Sequence, residues 1–502
     1  MNWLDQLSRF WPHLAAGFDF LAALLASVHA LLHKRDSRAA TLWIGFIWLM
    51  PVFGPLLYLA LGVNRIRRRA VSLGVHKTFR RPVPKNLGEP QHQGAEHLKM
   101  LARVVSRVVT RPLTAGNKIQ PLVNGDEAFP AMLAAIASAK KSVSLATYIF
   151  DNDASGKQFV EALGRAVSRG VETRVLIDSM GARYSWPPVT HKLRHAGVNT
   201  ARFLPSVAPW RAVNVNLRNH RKSLVVDGKI AFTGGMNIRH GNVLGPRRGE
   251  AADEPGRANP KTTTARAYAR PTQHAVQDLH FCVHGPVVAQ LQEAFANDWA
   301  FCTGEILDGD AWFPLLHYCG NTIARVITDG PDADFEKLRW TLLAALAEAQ
   351  TSVQILTPYF LPDTALVSAL NLAALRGVRV DIFLPAKNNL PYVHWASRAL
   401  WWQVLERGCR IWLTPPPFDH SKLMIVDGHW VLLGSANWDA RSLRLNFELN
   451  LECYGRELAH DLTAFVEGKF RGAREVTLAE ADGRSLPAKV RDATARLFSP
   501  YL

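Results

Sequence analysis

The sequence predicts an α/β protein in which two repeated units pack about a pseudo-twofold axis and follow an N-terminal transmembrane helical hairpin. Three observations support this prediction. They are two long apolar stretches near the start, a pattern of strands and helices that occurs twice, and a histidine–lysine motif repeated at identical spacing. At 502 residues the chain is too long for one ordinary core, so several domains are expected.

The composition is that of a folded protein with a membrane-embedded part, since 48% of the residues are hydrophobic and 20% are charged. The formal net charge of +17 indicates an acidic partner, either nucleic acid or an anionic membrane surface. The five cysteines are scattered and show no Cys-x-x-Cys spacing. Neither a disulfide framework nor a zinc site is therefore indicated.

Two apolar stretches open the chain, and we assign residues 1–65 to a membrane hairpin. Residues 14–32 are mainly apolar but are interrupted by Asp19 and His29, whereas residues 39–61 carry no charge. A membrane span needs about 20 apolar residues, so the second stretch is the stronger transmembrane candidate. The alternative is a buried hairpin in a soluble core.

A basic segment follows the second stretch and begins a juxtamembrane linker and helix at residues 66–117. Eight cations precede any acidic residue: Arg65, Arg67, Arg68, Arg69, Lys77, Arg80, Arg81 and Lys85. The positive-inside rule then places the large C-terminal part in the cytoplasm, at the inner membrane. The connection at 33–38 is also basic, which conflicts with two full spans. A re-entrant or tilted first stretch would remove the conflict.

The large part of the chain is an internal duplication. The segment "SVSLATYIF" at 142–150 resembles "SVQILTPYF" at 352–360, and each is followed by a helical pattern, Arg-Gly-Val and an apolar strand. Two α/β units are therefore predicted, at 118–310 and 311–502. Residues 240–272 are rich in Gly, Pro and Arg and read as a surface insertion in the first unit. The second unit ends in a basic amphipathic segment, which packs onto that unit or lies on the membrane.

The repeated motif reads "NHRKSLVVDGKIAFTGGMN" at 219–237 and "DHSKLMIVDGHWVLLGSAN" at 419–437. Alternate residues of a strand face the same side, so the histidine and the lysine of each copy project together. The Asp-Gly pair predicts a hairpin, whose return strand brings the later Gly, Ser and Asn residues back beside them. The corresponding residues are His220 and His420, Lys222 and Lys422, Asp227 and Asp427, Gly235 and Ser435, and Asn237 and Asn437.

Two histidines, two lysines and two asparagines around one cavity suit phosphodiester chemistry. The lysines and asparagines match the equatorial oxygens of a five-coordinate phosphorus, with Gly235 and Ser435 beside them. A neutral imidazole can attack phosphorus, and a protonated one can give its proton to the leaving alkoxide. No cofactor and no metal is expected. The lysines supply positive charge, and the motif lacks the carboxylate-rich set that Mg²⁺ prefers.

Each catalytic histidine is expected to be oriented by a carboxylate on its other ring nitrogen. We predict Glu448 as the partner of His420 and Asp278 as the partner of His220, with surface ion pairing as the alternative for both carboxylates.

The motif aspartates, Asp227 and Asp427, belong to the signature that carries the catalytic residues. Their place at the far end of the hairpin nevertheless favours a role in fixing the turn.

These paired motifs resemble the signature of the phospholipase D superfamily, over about residues 118–460. The N-terminal stretch "LMPVFGPLLYLALG", which contains Pro51, Gly54, Tyr58 and Gly62, and the ending "ARLFSPYL" resemble those of bacterial cardiolipin synthases. The resemblance implies two phospholipase D-like units and a phosphatidyl group that is carried on a histidine and passed to an alcohol. It further implies His220 as the nucleophile, and His420 as the general acid and later the base.

The resemblance also implies the substrates. Two phosphatidylglycerols would give cardiolipin and glycerol, with phosphatidylethanolamine as an alternative donor. A phospholipase D that transfers the phosphatidyl group to water is the runner-up. A nuclease is less favoured, because much of the positive charge lies just beyond an apolar stretch, where lipid is the nearest anion. A non-catalytic lipid-binding protein is disfavoured by two intact copies of the motif, and the oligomeric state stays open.

Overall fold

The structure is a computed structural model that describes residues 3–34, 37–62, 96–205, 217–245, 275–332 and 334–499. The basic segment that contains Arg65 to Lys85 and most of the predicted insertion at 240–272 lie outside the described residues. The chain divides into two compact units, Met1–Ser72 and Leu73–Leu502, and each is described by itself.

The described part of the N-terminal unit is helical. Its elements are α1 (Trp3–His33), α2 (Ser37–Leu49), α3 (Phe53–Leu57) and a π-helical turn (Tyr58–Gly62). Within α1, the 24 residues Phe10–His33 form a helix long and apolar enough to cross a membrane. The first apolar stretch, which the sequence ranks as the weaker candidate, is thus the long helix.

The second apolar stretch does not form one continuous span, and its ranking as the stronger candidate is wrong. Pro51 lacks an N–H and disfavours helix at the residue before it, so α2 ends after 13 residues. The chain then folds back. A Cβ at Gly54 would lie 2.7 Å from Ile47 Cα, and the Val52 N–H donates to Asp19 Oδ1 at 2.6 Å. An apolar composition alone could not reveal this break.

The described part of the second unit, Leu73–Leu502, starts with α4 (Leu98–Val108) and continues into two similar halves. The strands of the first half are β1 (Thr114–Val123), β2 (Ser142–Thr147), β3 (Glu172–Asp178), β4 (Asn199–Phe203), β5 (Arg218–Asn219), β6 (Ser223–Val226), β7 (Ile230–Gly234), β8 (Val276–Gln277) and β9 (Leu279–His284). Its helices are α5 (Asn124–Ser138), α6 (Ala154–Ser168), α7 (Val189–His195) and α8 (Val288–Thr303), with short 3₁₀ turns at Gly181–Arg183 and His240–Asn242.

The second half follows a similar order and adds further helices and one edge strand. Its strands are β10 (Thr322–Asp329), β11 (Ser352–Leu356), β12 (Arg379–Pro385), β13 (Arg410–Thr414), β14 (Phe418–Asp419), β15 (Leu423–Val426), β16 (Trp430–Gly434), β17 (Asn446–Tyr454) and β18 (Arg474–Val476). Its helices are α9 (Lys337–Glu348), α10 (Thr364–Leu375), α11 (Pro391–Arg398), α12 (Trp401–Leu405), α13 (Ala440–Arg444), α14 (Arg456–Phe470), α15 (Leu478–Asp482) and α16 (Leu486–Leu497).

The two halves share one continuous sheet. From the centre outward the first half runs β1-β9-β7-β6-β2-β3-β4, and the second runs β10-β17-β16-β15-β11-β12-β13-β18. Strands β1 and β10 pair antiparallel at the centre, and corresponding strands lie at equal distances from that pair. The predicted duplication about a pseudo-twofold axis is therefore confirmed.

The core packs helices against both faces of the sheet. Motif strands β6 and β15 are fully buried, as expected of short apolar strands covered on both sides. Helices α8 and α14 cover the centre, where they pack with residues from both halves. Helix α4, which the sequence assigns to the linker at 66–117, packs into the core of the second half. Strand β1 begins at Thr114, a few residues before the predicted start of the first unit. The exact domain boundaries stay predictions.

The C-terminal helix α16 packs onto the second half, one of the two alternatives left open by the sequence. Its Asp492 is fully buried and pairs with Arg491 at 2.7 Å and with Arg484, and Ala495 packs beside α11. The outer face of α16 still exposes apolar side chains, among them Leu486 and Leu497.

Candidate active site

Each motif histidine is held in place by the opposite half of the sheet. Strand β5 pairs parallel with β17, and the His220 N–H donates to the Phe447 carbonyl at 2.9 Å. Strand β14 pairs parallel with β8, and the His420 N–H donates to the Gln277 carbonyl at 2.8 Å. The two histidines are therefore brought to one site by strands that cross between the halves.

The carboxylate partner of each histidine also comes from the opposite half, so the predicted pairing is wrong. His220 Nδ1 lies 2.9 and 3.0 Å from the carboxylate oxygens of Glu448, and His420 Nδ1 lies 2.8 Å from Asp278 Oδ2. The two residues are those predicted, but their assignment is reversed. The prediction paired each histidine with a carboxylate of its own half. In the structure, β17 carries Glu448 beside His220, and β8 leads to Asp278 beside His420. In both rings Nδ1 is engaged, so Nε2 is the nitrogen left for chemistry.

The lysines lie beside the histidines, as predicted, although residues 220–222 and 420–422 connect two strands rather than lying on one. Lys222 Nζ donates to the His220 carbonyl at 2.7 Å, and Lys422 Nζ donates to the His420 carbonyl. Both lysines are buried. Lys222 Nζ also lies 5.5 Å from the centre of the Tyr148 ring, which meets the His220 ring edge-on at 5.2 Å. An ammonium group has three donors, so each lysine keeps hydrogens for a bound phosphate.

Burial and mutual repulsion shift the pKa of the titratable groups toward their uncharged forms. Burial, together with the charges of Lys222 and Lys422, lowers the pKa of His220 well below its usual value. Burial lowers the pKa of His420 to about 4, an effect that Lys422 adds to and the Asp278 carboxylate opposes. Histidine 220 is therefore a neutral imidazole near pH 7, which is the form that can attack phosphorus.

The charged residues beside the histidines are shifted in the same sense. Burial lowers the pKa of Lys422 to about 8 and that of Lys222 well below its usual value. It also raises the pKa of Glu448 to about 7, against the opposing charge of Lys222. A phosphate bound beside the two lysines would stabilise both ammonium groups, so the site favours an anionic phosphate group.

The structure corrects the catalytic assignment of the motif aspartates. The Asp227 carboxylate accepts the backbone N–H groups of residues 140–142 at 2.7–3.1 Å, and Asp427 accepts those of 350–352 at 2.8–2.9 Å. These contacts lie at the opposite end of β6 and β15 from the histidines. Both aspartates have positive φ angles of 52° in the hairpin turn. They are positioning residues of the fold, as their place in the turn indicated.

The residues predicted to contact phosphate have different surroundings in the two halves. Asn237 Oδ1 accepts the Ile149 N–H at 3.1 Å, and Asn437 Nδ2 donates to Ser442 Oγ at 3.2 Å. Both asparagines are buried, and their contact with phosphate stays a prediction.

Gly235 and Ser435 touch the carboxylates rather than an open cavity. The Ser435 hydroxyl donates to Glu448 Oε2 at 2.5 Å, whereas a Cβ at Gly235 would overlap the Asp278 carboxylate. The difference between the copies therefore allows a longer, serine-bound glutamate behind His220 and a shorter aspartate behind His420.

Two buried aspartates that sequence reasoning missed support the first histidine. Asp178 Oδ2 accepts the Asn219 N–H at 2.8 Å, and Asp298 accepts from Asn219 Nδ2 at 2.9 Å and from Arg221 Nη1 at 2.6 Å. Asn219 and Arg221 flank His220 in the chain, so these buried contacts hold the segment that carries it. The sequence signal for these aspartates was the polar pair Asn219 and Arg221 in a motif that is otherwise apolar, because buried polar side chains need partners.

Comparisons with known proteins show what the chain is similar to. The family model "Cardiolipin synthase, PLD-like domain" matches residues 132–251 and 342–468, one stretch in each half. The model "Phospholipase_D-nuclease N-terminal" matches residues 21–62, and with helix α1 it indicates a membrane-associated protein. The crystal structure of phosphatidylserine synthase from Haemophilus influenzae Rd KW20 covers 80% of this chain and 100% of its own, with a TM-score of 0.56 and 14% identity, a similarity of fold.

Curated relatives match over nearly the whole length. Cardiolipin synthase of Listeria monocytogenes serotype 4a (strain HCC23) is 29% identical over 497 residues, which is 96% of this chain and 97% of the relative. Cardiolipin synthase of Geobacillus kaustophilus (strain HTA426) is 30% identical over 511 residues, which is 99% of this chain and 97% of the relative. The chain therefore belongs to the cardiolipin synthase family of phosphatidyltransferases in the phospholipase D superfamily.

Proposed function

We propose that the chain makes cardiolipin by transferring a phosphatidyl group from one phosphatidylglycerol to another, with release of glycerol. The reaction passes through a phosphatidyl group on His220. The observation that carries this proposal is the crossed pair of hydrogen bonds from His220 to Glu448 and from His420 to Asp278. Each hydrogen bond engages Nδ1 of one ring and leaves Nε2 for chemistry. The site therefore has two reactive Nε2 atoms, one for nucleophilic attack and one for proton transfer.

In the first step, the neutral Nε2 of His220 attacks the phosphorus of the donor lipid. The bond from phosphorus to the headgroup oxygen breaks, and a proton from His420 Nε2 goes to that oxygen, so that glycerol leaves. Lys222 and Lys422 hold the equatorial oxygens as charge develops on them. The negative charge of the bound phosphodiester favours the protonated form of His420, against the burial that lowers its pKa to about 4.

In the second step, His420 is neutral and acts as a base. It takes the proton from a headgroup hydroxyl of the acceptor lipid, whose oxygen attacks phosphorus. The bond from phosphorus to His220 breaks, cardiolipin forms, and both histidines return to their starting states. Because Glu448 and Asp278 are buried, they keep both rings oriented through the two steps.

The proposed location is the inner membrane, with the catalytic unit on the cytoplasmic side. Support comes from helix α1, which is long enough to span, and from the eight cations between residues 65 and 85 of the sequence. Cations on that side would also attract the anionic headgroups of the substrate.

The test is a product analysis of the purified full-length chain in detergent with phosphatidylglycerol. Cardiolipin and glycerol in equal amounts support the proposal, and a variant that lacks both histidines is the control. Phosphatidic acid alone would make the protein a hydrolase. Nicked DNA without lipid turnover would make it a nuclease. Release of ethanolamine from added phosphatidylethanolamine would identify a different donor.

A further inference from the structure

Helix α16 has one side fixed on the second half and the opposite face exposed. Arg491 lies over the Trp395 ring of α11 at 4.7 Å, and the buried Asp492 lies 3.9 Å from Arg398 Nε of the same helix. These contacts hold α16 in one orientation. Its outer face carries apolar side chains at spacings of four and seven residues, which places them on one stripe. The residues of this exposed stripe are Leu486, Val490 and Leu497.

The exposed stripe has the composition of a helix that lies on a lipid surface. Its last residue, Leu497, is 75% exposed. Lys489 and Arg496, which are also exposed, lie seven residues apart and so flank the stripe along one side. An interfacial helix buries its apolar face at the boundary between headgroups and acyl chains, while its cations contact anionic headgroups. The stripe and its two cations therefore match an anionic bilayer in both apolarity and charge.

The same helix lies close to the second catalytic histidine. Ala495 of α16 and Tyr359 pack against one small apolar cluster. The members of this cluster are Leu361, Val393 and Ala396. The Tyr359 ring meets the His420 ring edge-on, with 6.3 Å between their centres. Helix α16 is thus linked to the active site through one cluster and one tyrosine.

An exposed aromatic segment lies near the first catalytic histidine. The Tyr148 ring is 5.2 Å from the His220 ring and 6.3 Å from the Tyr184 ring. Tyr184 is exposed, and Trp186, two residues later, is 92% exposed. Tyrosine and tryptophan favour the interface between membrane and water, because each combines an apolar ring with a polar atom. Exposed apolar groups therefore lie near both histidines, one group in each half.

We propose that the outer face of α16 and the aromatic segment at 184–186 dock the unit Leu73–Leu502 on the surface of an anionic phospholipid bilayer. The inference goes beyond the proposed function, since it concerns how this unit meets lipid, whatever reaction follows. Docking would keep the site at the membrane surface. A phospholipid could then bring its headgroup to His220 and His420 while its acyl chains stay in the bilayer.

The experiment measures contact with lipid directly and does not depend on catalysis. The full-length chain carries the photo-cross-linking residue p-benzoylphenylalanine in place of Leu497 or of Trp186. Each protein is reconstituted into nanodiscs of phosphatidylglycerol and phosphatidylcholine and then irradiated. Mass spectrometry measures the yield of lipid adducts at each position.

The control places the same photo-cross-linking residue at Leu375, at the end of α10. This leucine is also largely exposed, at 66%. It lies shortly before β12, whose Arg379 N–H donates to the Thr351 carbonyl at 3.0 Å. Thr351 contacts Asp427 at the end of β15 that is opposite to the histidines, so Leu375 is an exposed leucine remote from the proposed surface.

We expect lipid adducts at positions 497 and 186 in about tenfold or higher yield than at 375, because an interfacial surface enters the headgroup region. Lys489→Gln combined with Arg496→Gln should lower the yield at 497 about threefold or more, since each cation attracts anionic headgroups. Nanodiscs of phosphatidylcholine alone should lower it in the same way.

The outcomes separate this inference from the proposed function. A yield at 497 or at 186 no higher than at 375 would overturn the inference, and so would a yield that does not depend on charge. Adducts between protein chains at 497 in place of lipid would also overturn it, because this face would then be an interface between copies. Lipid adducts in a protein that makes no cardiolipin would support the inference while the proposed function failed.

Discussion

His220 Nδ1 lies 2.9 Å from Glu448 Oε2, so the histidine of one half is oriented by a carboxylate of the other. Replacing Glu448 by glutamine keeps the shape but removes the charge that selects the correct tautomer. We expect the formation of the phosphatidyl-enzyme to slow by on the order of 10²- to 10⁴-fold, the range seen when a histidine loses its orienting carboxylate. Rapid-quench measurement of glycerol release in a single turnover would show it.

The matched control is Asp278→Asn, which acts on His420 instead. With a donor that carries an activated leaving group, this variant should still form the phosphatidyl-enzyme at a near-normal rate but transfer it slowly. If Asp278→Asn blocked formation while Glu448→Gln blocked only transfer, the roles proposed for the two histidines would be reversed.

Replacing the two histidines should have different effects in a trapping experiment. An activated leaving group needs no proton, so His420→Ala should accumulate phosphatidyl-enzyme, whereas His220→Ala has no nucleophile. Mass spectrometry of the quenched protein would detect the added phosphatidyl group and locate it on His220. Equal trapping by the two variants would contradict the assignment.

The repeated fold and most of the site could be predicted because the motif fixes them locally. The His-x-Lys spacing predicts that His220 lies beside Lys222, and the identical spacing of the second copy predicts a second pair. The carboxylate pairing could not be predicted in this way. His220 and Glu448 are 228 residues apart, and only the register of β5 on β17 decides which carboxylate arrives.

The N-terminal stretch shows a similar limit of sequence reasoning. Its apolar composition predicts a span, but Pro51 and the close approach of Gly54 to Ile47 decide where the helix stops. Hydropathy averages over residues and does not register one missing N–H.

The motif aspartates should affect stability rather than chemistry. Asp427→Asn keeps a residue type that tolerates the positive φ of 52° but weakens three hydrogen bonds from backbone N–H groups. We expect a loss of about 1–3 kcal/mol in the free energy of unfolding. The measurement is thermal unfolding in detergent, with Asp461→Asn at an exposed position as the control.

The pH dependence of this loss gives a sharper test. Backbone hydrogen bonds hold the pKa of Asp427 below its usual value although burial acts in the opposite direction. A lowered folded-state pKa means that the stabilisation is present above the unfolded value near 4 and disappears as the pH falls below it. The wild type and Asp427→Asn should therefore converge in acid. A constant difference down to pH 3, or a fall in turnover as large as that of Glu448→Gln, would show that Asp427 does not act through this charge.

The lowered pKa of the buried lysines predicts how the activity falls at high pH. Burial lowers the pKa of Lys422 to about 8, so a growing share of the free enzyme loses this positive charge as the pH rises through 8. Since kcat/KM reports the free enzyme, it should fall above pH 8. Lys422→Arg carries a guanidinium that stays charged, so whatever activity it retains should hold to higher pH. Steady-state assays of both proteins between pH 6 and 10 would decide. If kcat/KM still fell above pH 8 in Lys422→Arg but no longer did so in Lys222→Arg, the loss of activity would be due to deprotonation of Lys222 instead.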